Sequence, residues 1–377
     1  MKILFTGGGS GGHFYPIIAV AEEINRLIEE RHLLKASLYY LGPSSYDERA
    51  LFENNIEFRA SPAGKLRRYF SLLNITDLFK TSFGVLKALF EVWSIYPDVI
   101  FSKGGYASFP TVLAAKLLKI PLIIHESDSV PGKVNAWAGK FARRIAISYP
   151  EAASYFPSEK TALVGNPVRR MLQTTAHEGA YEFLKLSTTL PVILILGGSQ
   201  GAEKLNDVLL GALPELVERY QVIHQTGEKL FVDVERTYHV VLEKSPHADR
   251  YKVFPYLNEL ALRMSAGAAS LVVSRAGSGA IFEIAGWGVP SIIIPLPTPV
   301  SHDQEKNAFT YARSGAGIVI AQGNLTSHLL VSEIDRLIGN PTLREQMSLA
   351  AKHFAKPDAA RKIAEAIIDI GLKHETL

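Results

Sequence analysis

Residues 5–16, FTGGGSGGHFYP, continue a short apolar run and determine how the start of the chain folds. The run predicts a buried strand, the glycines predict a tight turn, and the apolar spacing after the turn predicts a helix. The same order returns at residues 192–206, VILILGGSQGAEKLN. Two such units in one chain indicate two similar, doubly wound domains.

The rest of the chain alternates short runs rich in Ile, Val and Leu with longer segments of helical period. This alternation is typical of parallel strands joined by crossover helices, so the predicted fold class is α/β, with a doubly wound parallel sheet in each domain. The predicted strands are residues 3–5, 37–41, 99–101, 122–125, 145–147, 192–196, 222–225, 271–273 and 291–294.

Chain length predicts more than one domain, and glycine and proline residues predict where the domains divide. A chain of 377 residues that is 47% apolar can bury more than one core. Gly165 and Pro167 supply a linker in the stretch LVGNPVRR. The predicted domains are therefore residues 1–168 and 169–356, followed by a terminal helix at 357–377 that starts with Pro357.

Composition excludes several classes of protein. The 40 basic and 37 acidic side chains give a formal charge of +3, so no global field attracts nucleic acid. With no cysteine, the chain has neither disulfides nor thiolate metal sites. The longest apolar runs, such as PVILIL, are far shorter than a membrane span. We expect a cytoplasmic protein.

The glycine turns favour an anionic ligand, because glycine lets the backbone approach closely and the following helix presents free N–H groups. Gly7, Gly9 and Gly12 match the G-x-G-x-x-G spacing of dinucleotide folds, which keeps a nicotinamide or flavin enzyme as an alternative. The acidic residue expected after the second strand is replaced by Gly42 and Pro43, which weakens that alternative. No G-x-x-x-x-G-K-[ST] motif occurs. A third reading is that the glycines only make tight turns.

His13 stands at the entry of the first helix, where Pro16 is expected in the first turn. The helix dipole disfavours an imidazolium there, so the ring stays neutral and able to take a proton. His13 is therefore a candidate general base, with a helix-capping role as the alternative.

Seven motifs in chain order resemble those of the MurG family of bacterial peptidoglycan glycosyltransferases, in glycosyltransferase family 28. They are GGGSGGHFYPIIAVAEEI, KGGYASFP, HESDSVPGKVNAWAGKFARRI, VGNPVR, GGSQGAEKLND, SRAGSGAIFEIAGWGVPSIIIPLP and HDQEKNA. The resemblance implies a GT-B fold with a cleft between two Rossmann-like halves, and a terminal helix that crosses back to the first half. It also implies inverting transfer of N-acetylglucosamine from UDP-N-acetylglucosamine to polyprenyl-linked lipid I, forming lipid II, without a metal or other cofactor.

The resemblance places the donor mainly in the second domain. It implies that Tyr256 and Leu257 hold the uracil, Glu283 the ribose hydroxyls and Gln304 the sugar. Arg169 and Ser199 are expected to meet the diphosphate. The sequence contains no D-x-D motif, so backbone amides, helix dipoles and basic side chains are expected to balance the charge of the leaving UDP. The first domain adds further expected donor contacts, from Ser10, Gly11, Gly12 and Asp128.

The resemblance places the acceptor and the base in the first domain. His13 corresponds to the proposed base, and Glu126 is the second candidate. The glycine loop of KGGYASFP is expected to receive the acceptor's diphosphate. Acceptor-binding or supporting positions are Gly104, Gly105, Tyr106, His125, Asn135, Asn206 and Arg275.

Four positions depart from the family pattern. Ser127 and Asp128 replace an amide pair, and an ionised aspartate cannot donate a hydrogen bond. Ala280 removes a hydroxyl near the donor, and Phe109 stands where glycine is common. These changes leave the preference for donor and acceptor open.

Residues 64–96 mix basic and apolar side chains in the way of a surface that rests on anionic lipid. The resemblance adds weight to this reading and implies a peripheral protein on the cytoplasmic face of the bacterial inner membrane, with other cell-wall synthesis proteins as further partners. The alternative is an ordinary helix core with a solvated rim. The residues concerned are Lys65, Arg67, Arg68, Lys80 and Lys87, with Phe70, Leu72, Leu73, Leu78, Phe79 and Phe83.

Other functions share part of this pattern. A second GT-B enzyme, such as a glycolipid glycosyltransferase or a UDP-N-acetylglucosamine epimerase, has the same nucleotide motifs. A catalytically silent nucleotide-sugar-binding protein is a further alternative, and the intact His13, Glu283 and Gln304 count against it.

Overall fold

The computed structural model describes residues 1–64, 73–198, 201–298, 300–301 and 303–375. The chain forms two compact units. The first comprises Met1–Arg170 together with Lys356–Leu377, and the second Met171–Ala355. Arg169 therefore belongs to the first unit, whereas the boundary expected from the sequence assigned it to the second.

The first unit is built on a parallel sheet of seven strands in the order β3-β2-β1-β4-β5-β6-β7. All neighbouring strands of this sheet are parallel, so crossover connections must carry the chain back between them. The strands are β1 (Lys2–Thr6), β2 (Ser37–Gly42), β3 (Ile56–Ala60), β4 (Val99–Ser102), β5 (Leu122–Glu126), β6 (Arg144–Ile147) and β7 (Thr161–Leu163).

The second unit repeats the plan with six parallel strands in the order β10-β9-β8-β11-β12-β13. In both sheets the first strand of the unit lies inside, and the order reverses beside it. Ligands bind at such a reversal point, outside the carboxyl ends of the strands. The strands are β8 (Val192–Leu196), β9 (Gln221–Gln225), β10 (Tyr251–Phe254), β11 (Ala269–Arg275), β12 (Ser291–Ile294) and β13 (Gly317–Val319).

The α/β class predicted from the sequence is confirmed, and all nine predicted strands occur with ends shifted by no more than two residues. Central strands such as β8 are buried along their whole length because helices cover both faces of the sheet. Four strands were missed, namely β3, β7, β10 and β13. These four are the edges of the two sheets.

Helices of the first unit cover its sheet. A 20-residue helix, α1, follows the first glycine turn, and its apolar face shares a core with Ile363, Ile367 and Ile368 of the terminal helix α14. The helices are α1 (Gly11–Glu30), α2 (Glu48–Glu53), α3 (Leu73–Ile95), α4 (Phe109–Leu117), α5 (Lys133–Ala138) and α14 (Ala359–Glu375).

Helices of the second unit pack on both faces of its sheet and form two apolar clusters. Helix α7 follows the second glycine turn, as α1 follows the first. The helices are α6 (Ala180–Phe183), α7 (Glu203–Arg219), α8 (Phe231–Val241), α9 (Glu259–Ala268), α10 (Ser278–Trp287), α11 (Gln304–Arg313), α12 (Ser327–Ile338) and α13 (Pro341–Phe354). Within the described parts of the chain, no helix combines the length and apolarity needed to cross a membrane.

Candidate active site

The first glycine loop joins β1 to α1 and is shaped by tyrosines. The hydroxyl of Tyr40 donates a hydrogen bond to the carbonyl of Gly7 at 2.7 Å. Gly9 has a φ of +92°, and a Cβ there would lie 2.7 Å from Cε1 of Tyr106. Glycine is required at position 9 by both the backbone conformation and the neighbouring ring. The loop is therefore held in a fixed shape by the protein itself.

His13 is the third residue of α1, and its Nδ1 lies 2.9 Å from Oγ of Ser10, the residue before the helix. Although the residue keeps some solvent exposure, burial of the ring and then the charge of Lys103 lower the pKa of His13 to about 4. The imidazole is neutral at pH 7. Since α1 begins at Gly11, Pro16 lies beyond the first turn in which it was expected.

The second glycine loop follows β4 and lies against His13. A Cβ on Gly105 would approach Nε2 of His13 to 3.3 Å, so only glycine leaves the ring its present room. Within the loop, the hydroxyl of Ser108 donates to the carbonyl of Gly105 at 2.9 Å. Tyr106 follows this glycine and reaches back to the first loop. The structure thus joins the two glycine motifs that the sequence treats separately.

Lys103 opens the second loop and was not singled out in the sequence. The residue is 1% exposed, and its Nζ has no hydrogen-bond partner among the described residues. Burial lowers the pKa of Lys103, and the nearby Glu126 and Asp128 counteract this. In the sequence it is marked only by its position directly between a buried strand and two glycines, and this position does not reveal its burial.

His125 and Asn135 hold the end of β5 in place. Nε2 of His125 lies 2.9 Å from the carbonyl oxygen of Gly165 and 3.3 Å from Oγ of Ser148. Because a carbonyl only accepts, Nε2 carries the hydrogen, and burial lowers the pKa of His125 well below its usual value. Asn135 donates to the carbonyl of His125 at 3.0 Å. His125 thus supports the site from within the sheet, and Asn135 supports it from α5.

Glu126 ends β5 and accepts three hydrogen bonds. The donors are the backbone N–H of Asp128 and of Gly132, each at 3.1 Å, and the amide of Asn135 at 2.9 Å. Burial and then the neighbouring Asp128 raise the pKa of Glu126, while these donors and Lys103 act in the opposite direction. The carboxylate thus fixes the turn after β5.

Arg169 lies next to the helix that carries His13. Its guanidinium stacks 4.1 Å from the ring centroid of Tyr15, and the backbone N–H of Arg170 donates to Glu22 at 3.2 Å. Both contacts are made to α1. Arg169 therefore packs against the first unit.

The second unit carries a glycine loop of its own, GGSQG at residues 197–201, between β8 and α7. Ser199 lies outside the described residues. Asn206 of α7 accepts a hydrogen bond from Nε2 of His224 at 3.0 Å and donates to the carbonyl of Thr226 at 3.2 Å. The hydroxyl of Tyr251 completes the chain at 2.7 Å from Nδ1 of His224. Asn206 thus supports the sheet below the loop.

Tyr256 and Leu257 have different surroundings. Tyr256 is 43% exposed, whereas the side chain of Leu257 is buried in the core and its N–H donates to Oε1 of Gln225 at 3.1 Å. The exposed ring of Tyr256 is the surface available to a flat base.

The remaining predicted donor residues stand on neighbouring elements of the second unit. Arg275 ends β11, donates to the carbonyl of Ile294 at 3.4 Å, and has its pKa lowered by burial. Gln304 begins α11, and its Oε1 accepts from Leu296 at 3.0 Å. Glu283 is half-buried on α10. Since β9, β11 and β12 end at the same side of the sheet, Arg275 and Gln304 share that side with the Gln225–Leu257 contact.

Among the described residues, no group of three or more His, Cys, Asp or Glu side chains is arranged to hold a metal ion. The groups described above that can take part in chemistry are a neutral imidazole, buried cationic side chains and backbone N–H groups.

Comparison with family models assigns both units. Residues 3–147 match the glycosyltransferase family 28 N-terminal domain, and residues 192–363 match the C-terminal domain of the same family. The order of the two domains along the chain agrees with the two sheets.

Relatives of known name match over nearly the full length. A UDP-N-acetylglucosamine–N-acetylmuramyl-(pentapeptide) pyrophosphoryl-undecaprenol N-acetylglucosamine transferase of Treponema denticola is 35% identical, with 96% of each chain covered. An enzyme of that name, numbered 3, from Bacillus thuringiensis (strain Al Hakam) is 36% identical, covering 97% of this chain and 99% of its own. The crystal structure of Acinetobacter baumannii MurG is similar with a TM-score of 0.71 at 25% identity, covering 98% of this chain and 99% of that one.

Both domain models, the full-length relatives and the matching GT-B structure lead to one assignment: the chain belongs to the MurG family of glycosyltransferase family 28.

Proposed function

We propose that the chain transfers N-acetylglucosamine from UDP-N-acetylglucosamine to a hydroxyl of the N-acetylmuramyl sugar of lipid I, which forms lipid II for peptidoglycan. The observation that carries this proposal is the identity of 35–36% with transferases of that name over almost the whole chain. The neutral His13 beside two glycine loops supplies the chemistry that such a transfer needs.

In this proposal His13 is the general base. When Nδ1–H donates to Oγ of Ser10, the lone pair of Nε2 takes the proton of the acceptor hydroxyl. The hydroxyl oxygen bonds to the anomeric carbon as the bond from that carbon to the diphosphate breaks, and UDP leaves with the electron pair. A single displacement of this kind inverts the configuration at the anomeric carbon.

Glu126 is the second candidate base, and its contacts favour a supporting role. Its carboxylate oxygens accept hydrogen bonds from two backbone N–H groups and from Asn135. These three hydrogen bonds counteract the rise in the pKa of Glu126 and commit its oxygens to holding the turn that contains Asp128. His13, with one hydrogen-bond contact to a serine, is the better placed base.

The donor is proposed to bind to the second unit. The exposed ring of Tyr256 stacks on the uracil, and Glu283 accepts hydrogen bonds from the ribose hydroxyls. Gln304 contacts the sugar and Ser199 the diphosphate; Arg169, the further residue proposed for the diphosphate, belongs to the first unit. The lack of a D-x-D motif supports metal-independent transfer, in which N–H groups and cations balance the charge of UDP.

The deciding experiment measures transfer of labelled N-acetylglucosamine from its UDP donor to a short-chain analogue of lipid I. We expect a labelled disaccharide lipid and one UDP released per sugar transferred. Conversion of the donor to an epimer without acceptor identifies an epimerase. Binding of UDP with no chemistry identifies a silent binding protein, and binding of NAD instead of UDP ends the proposal.

The ribose contact has its own test. Glu283→Ala removes the acceptor of two hydrogen bonds and is expected to weaken UDP binding by roughly 10-fold or more, measured by calorimetry. Glu345→Ala, at an exposed position of α13 in the same unit, is the matched control and is expected to leave the affinity unchanged. Equal affinities for UDP in the two variants would contradict the assignment of Glu283.

We also propose that α3 rests on the membrane surface. Phe83, Leu86, Phe90 and Trp93 recur at helical spacing with 62–67% of their surface exposed, and the exposed Lys80 precedes them. Apolar side chains beside a cation suit an anionic lipid surface. Of the residues predicted for this surface, Lys65, Arg67, Arg68, Phe70 and Leu72 lie outside the described residues, as do the side chains of Leu73, Leu78 and Phe79.

Co-sedimentation with vesicles tests the α3 surface. The wild-type chain is expected to bind vesicles that contain phosphatidylglycerol more strongly than purely zwitterionic ones. The variant with Phe83, Phe90 and Trp93 changed to Ser is expected to lose most of this binding. Leu34 and Phe52 are exposed elsewhere in the first unit, so their double change to Ser is the control. An equal loss in both variants would refute α3 as the docking surface.

A further inference from the structure

Lys103 has a burial that the fold alone does not explain. Its side chain is 1% exposed, and its Nζ meets no hydrogen-bond partner in the part of the chain that the structure describes. Taking an ammonium out of water is costly unless hydrogen bonds replace those of the solvent. The three N–H donors of Nζ are therefore available to a ligand.

The groups that face Lys103 come from two sides. On the sheet side are His125, Glu126 and Asp128, at and after the end of β5, and on the helix side is His13 of α1. Glu126, the carboxylate with the largest influence on Lys103, is engaged by three other donors and makes no hydrogen bond to the ammonium. The positive charge is thus near carboxylates but is not held by Glu126.

Lys103 and His13 lie on the same pair of glycine loops. A Cβ on Gly7 would lie 2.9 Å from Cβ of Lys103, and a Cβ on Gly105 would lie 3.3 Å from Nε2 of His13. The ammonium is close enough to lower the pKa of His13. After burial of the ring, the charge of Lys103 is the second cause of this lowering. An anion that neutralises Lys103 must therefore make protonation of His13 easier.

We propose that Lys103 couples the binding of the acceptor's diphosphate to the charge state of His13, and so acts as a positioning residue for the base. This inference rests on the function proposed above. Without acceptor, the field of the ammonium keeps His13 a weak proton acceptor. When the diphosphate meets Nζ, the field is cancelled and His13 takes the proton of the acceptor hydroxyl more readily.

The physical benefit of this arrangement is selectivity against water. A base that is strong in the absence of the acceptor also deprotonates water, which would then attack the anomeric carbon and waste the donor. A base that becomes stronger only when the diphosphate is bound favours the sugar hydroxyl. A diphosphate suits the loops because their glycine N–H groups and the start of α1 favour an anion beside the ammonium.

The test follows the imidazole directly by NMR, on the full chain labelled in its histidines, with the His13→Gln variant to assign the signal. In the free protein, Lys103→Met is expected to raise the pKa of His13, while Lys103→Arg keeps the charge and leaves it low. Methionine has a similar length without the charge, so the core stays filled.

Inorganic pyrophosphate is the probe for the second half of the proposal. Its binding is expected to raise the pKa of His13 in the wild type, and its Kd is expected to rise at least 10-fold in Lys103→Met and less in Lys103→Arg. An unchanged pKa of His13 in free Lys103→Met, or an unchanged Kd for pyrophosphate, overturns the proposal.

UDP serves as the comparison ligand. If UDP rather than pyrophosphate raises the pKa of His13, and loses affinity in Lys103→Met, the partner of Lys103 is the nucleotide and the inference is wrong. These readouts need no turnover. A failed transfer assay and a failed Lys103 test are therefore distinguishable.

Discussion

Tyr40 shows that contacts within the protein, and not only a ligand, account for the glycines of the first loop. Its hydroxyl binds the carbonyl of Gly7, and the ring of Tyr106 occupies the space beside Gly9. Read from the sequence alone, the glycines indicate only a turn or an anion site. The structure adds that two aromatic residues from later strands and loops close around the turn.

A single methyl group at Gly9 tests this packing. Gly9→Ala forces a side chain into a backbone with a φ of +92° and against Tyr106, so we expect a loss of roughly 1–3 kcal/mol in the free energy of unfolding. Gly132→Ala is the matched control, because its φ is −63° and no atom lies within 4 Å of the added Cβ. Urea unfolding measures both, and equal effects would show that the loop has room for a side chain.

His13 gives the second prediction for a single residue. His13→Ala is expected to lower the turnover number about 10²- to 10⁴-fold, since the acceptor hydroxyl loses its proton acceptor. UDP affinity is expected to stay the same because the donor is proposed to bind to the second unit. Ser10→Ala removes only the contact to Nδ1 and should cost less. A turnover number unaffected by His13→Ala would remove this residue as the base.

Sequence motifs predicted which residues group around the glycine loops, but they did not predict the side-chain contacts that these residues make. His13, Gly104, Gly105 and Tyr106 were named from motifs, and the structure brings them together in one place. Lys103 was missed because a lysine beside glycines looks like a solvated charge, and only the folded sheet shows that it is buried. The contact between Arg169 and Tyr15 joins two distant positions and leaves no local pattern.

Among the elements, the strands that the sequence failed to predict are those at the edges of the sheets. A central strand is buried on both faces and therefore has a continuous apolar run, as in Val192–Leu196. Edge strands have one neighbour and more solvent contact. β3 is only partly buried, and β7 has two exposed residues out of three. Such short or partly exposed segments lack the continuous apolar run by which the central strands were predicted.

The terminal helix α14 is fixed to α1 by two kinds of contact. Ile363, Ile367 and Ile368 are fully or almost fully buried in the core of the first unit. At the rim, Arg361 of α14 bridges to Glu30 of α1 at 3.0 Å, and Glu365 of α14 bridges to Arg31, directly after α1, at 3.4 Å. Apolar burial is the larger contribution, because exposed ion pairs are screened by water and salt.

Two substitutions in α14 separate these contributions. Ile367→Ala is expected to lower the free energy of unfolding of the first unit by about 2–5 kcal/mol, since it leaves a cavity in a fully packed core. Arg361→Gln should have a much smaller effect that disappears at high salt. Hydrogen exchange at α1 reports both. A larger effect of Arg361→Gln would show that the ion pairs dominate.

At the scale of the whole molecule, the two units respond to acid through buried histidines. Burial lowers the pKa of His224 to about 3 in the second unit. The unfolded chain takes up a proton near pH 6.5, whereas the folded unit does so only near its lowered pKa. Between these pH values the unfolded state binds more protons, so stability falls as pH falls. Glu126, with its raised pKa, acts in the opposite direction in the first unit.

The second unit offers the clearer test of this effect. We expect its resistance to unfolding, followed by hydrogen exchange at β8 and β9, to decrease by several kcal/mol between pH 6.5 and pH 4. His224→Gln removes the titrating group and should flatten the dependence on pH. A wild-type unit that is equally stable at both pH values would contradict a buried neutral His224.

Repetition made the organisation of the whole chain predictable. The strand, glycine turn and helix recur at β1–α1 and β8–α7, and each recurrence begins a doubly wound sheet. The sequence did not predict the contact of Arg169 with α1 of the first unit, because stacking between residues far apart in the chain produces no local sequence pattern.

The same short, polar edge strands also determine how chains meet one another. An open strand edge offers unpaired backbone groups to any other extended chain, which is how sheets join into aggregates. Here β7 and β13 have three residues each, β10 carries Lys252, and β3 carries the ion pair of Glu57 and Arg59. Such edges disfavour strand-to-strand association, so the protein should remain dispersed even at high local concentration.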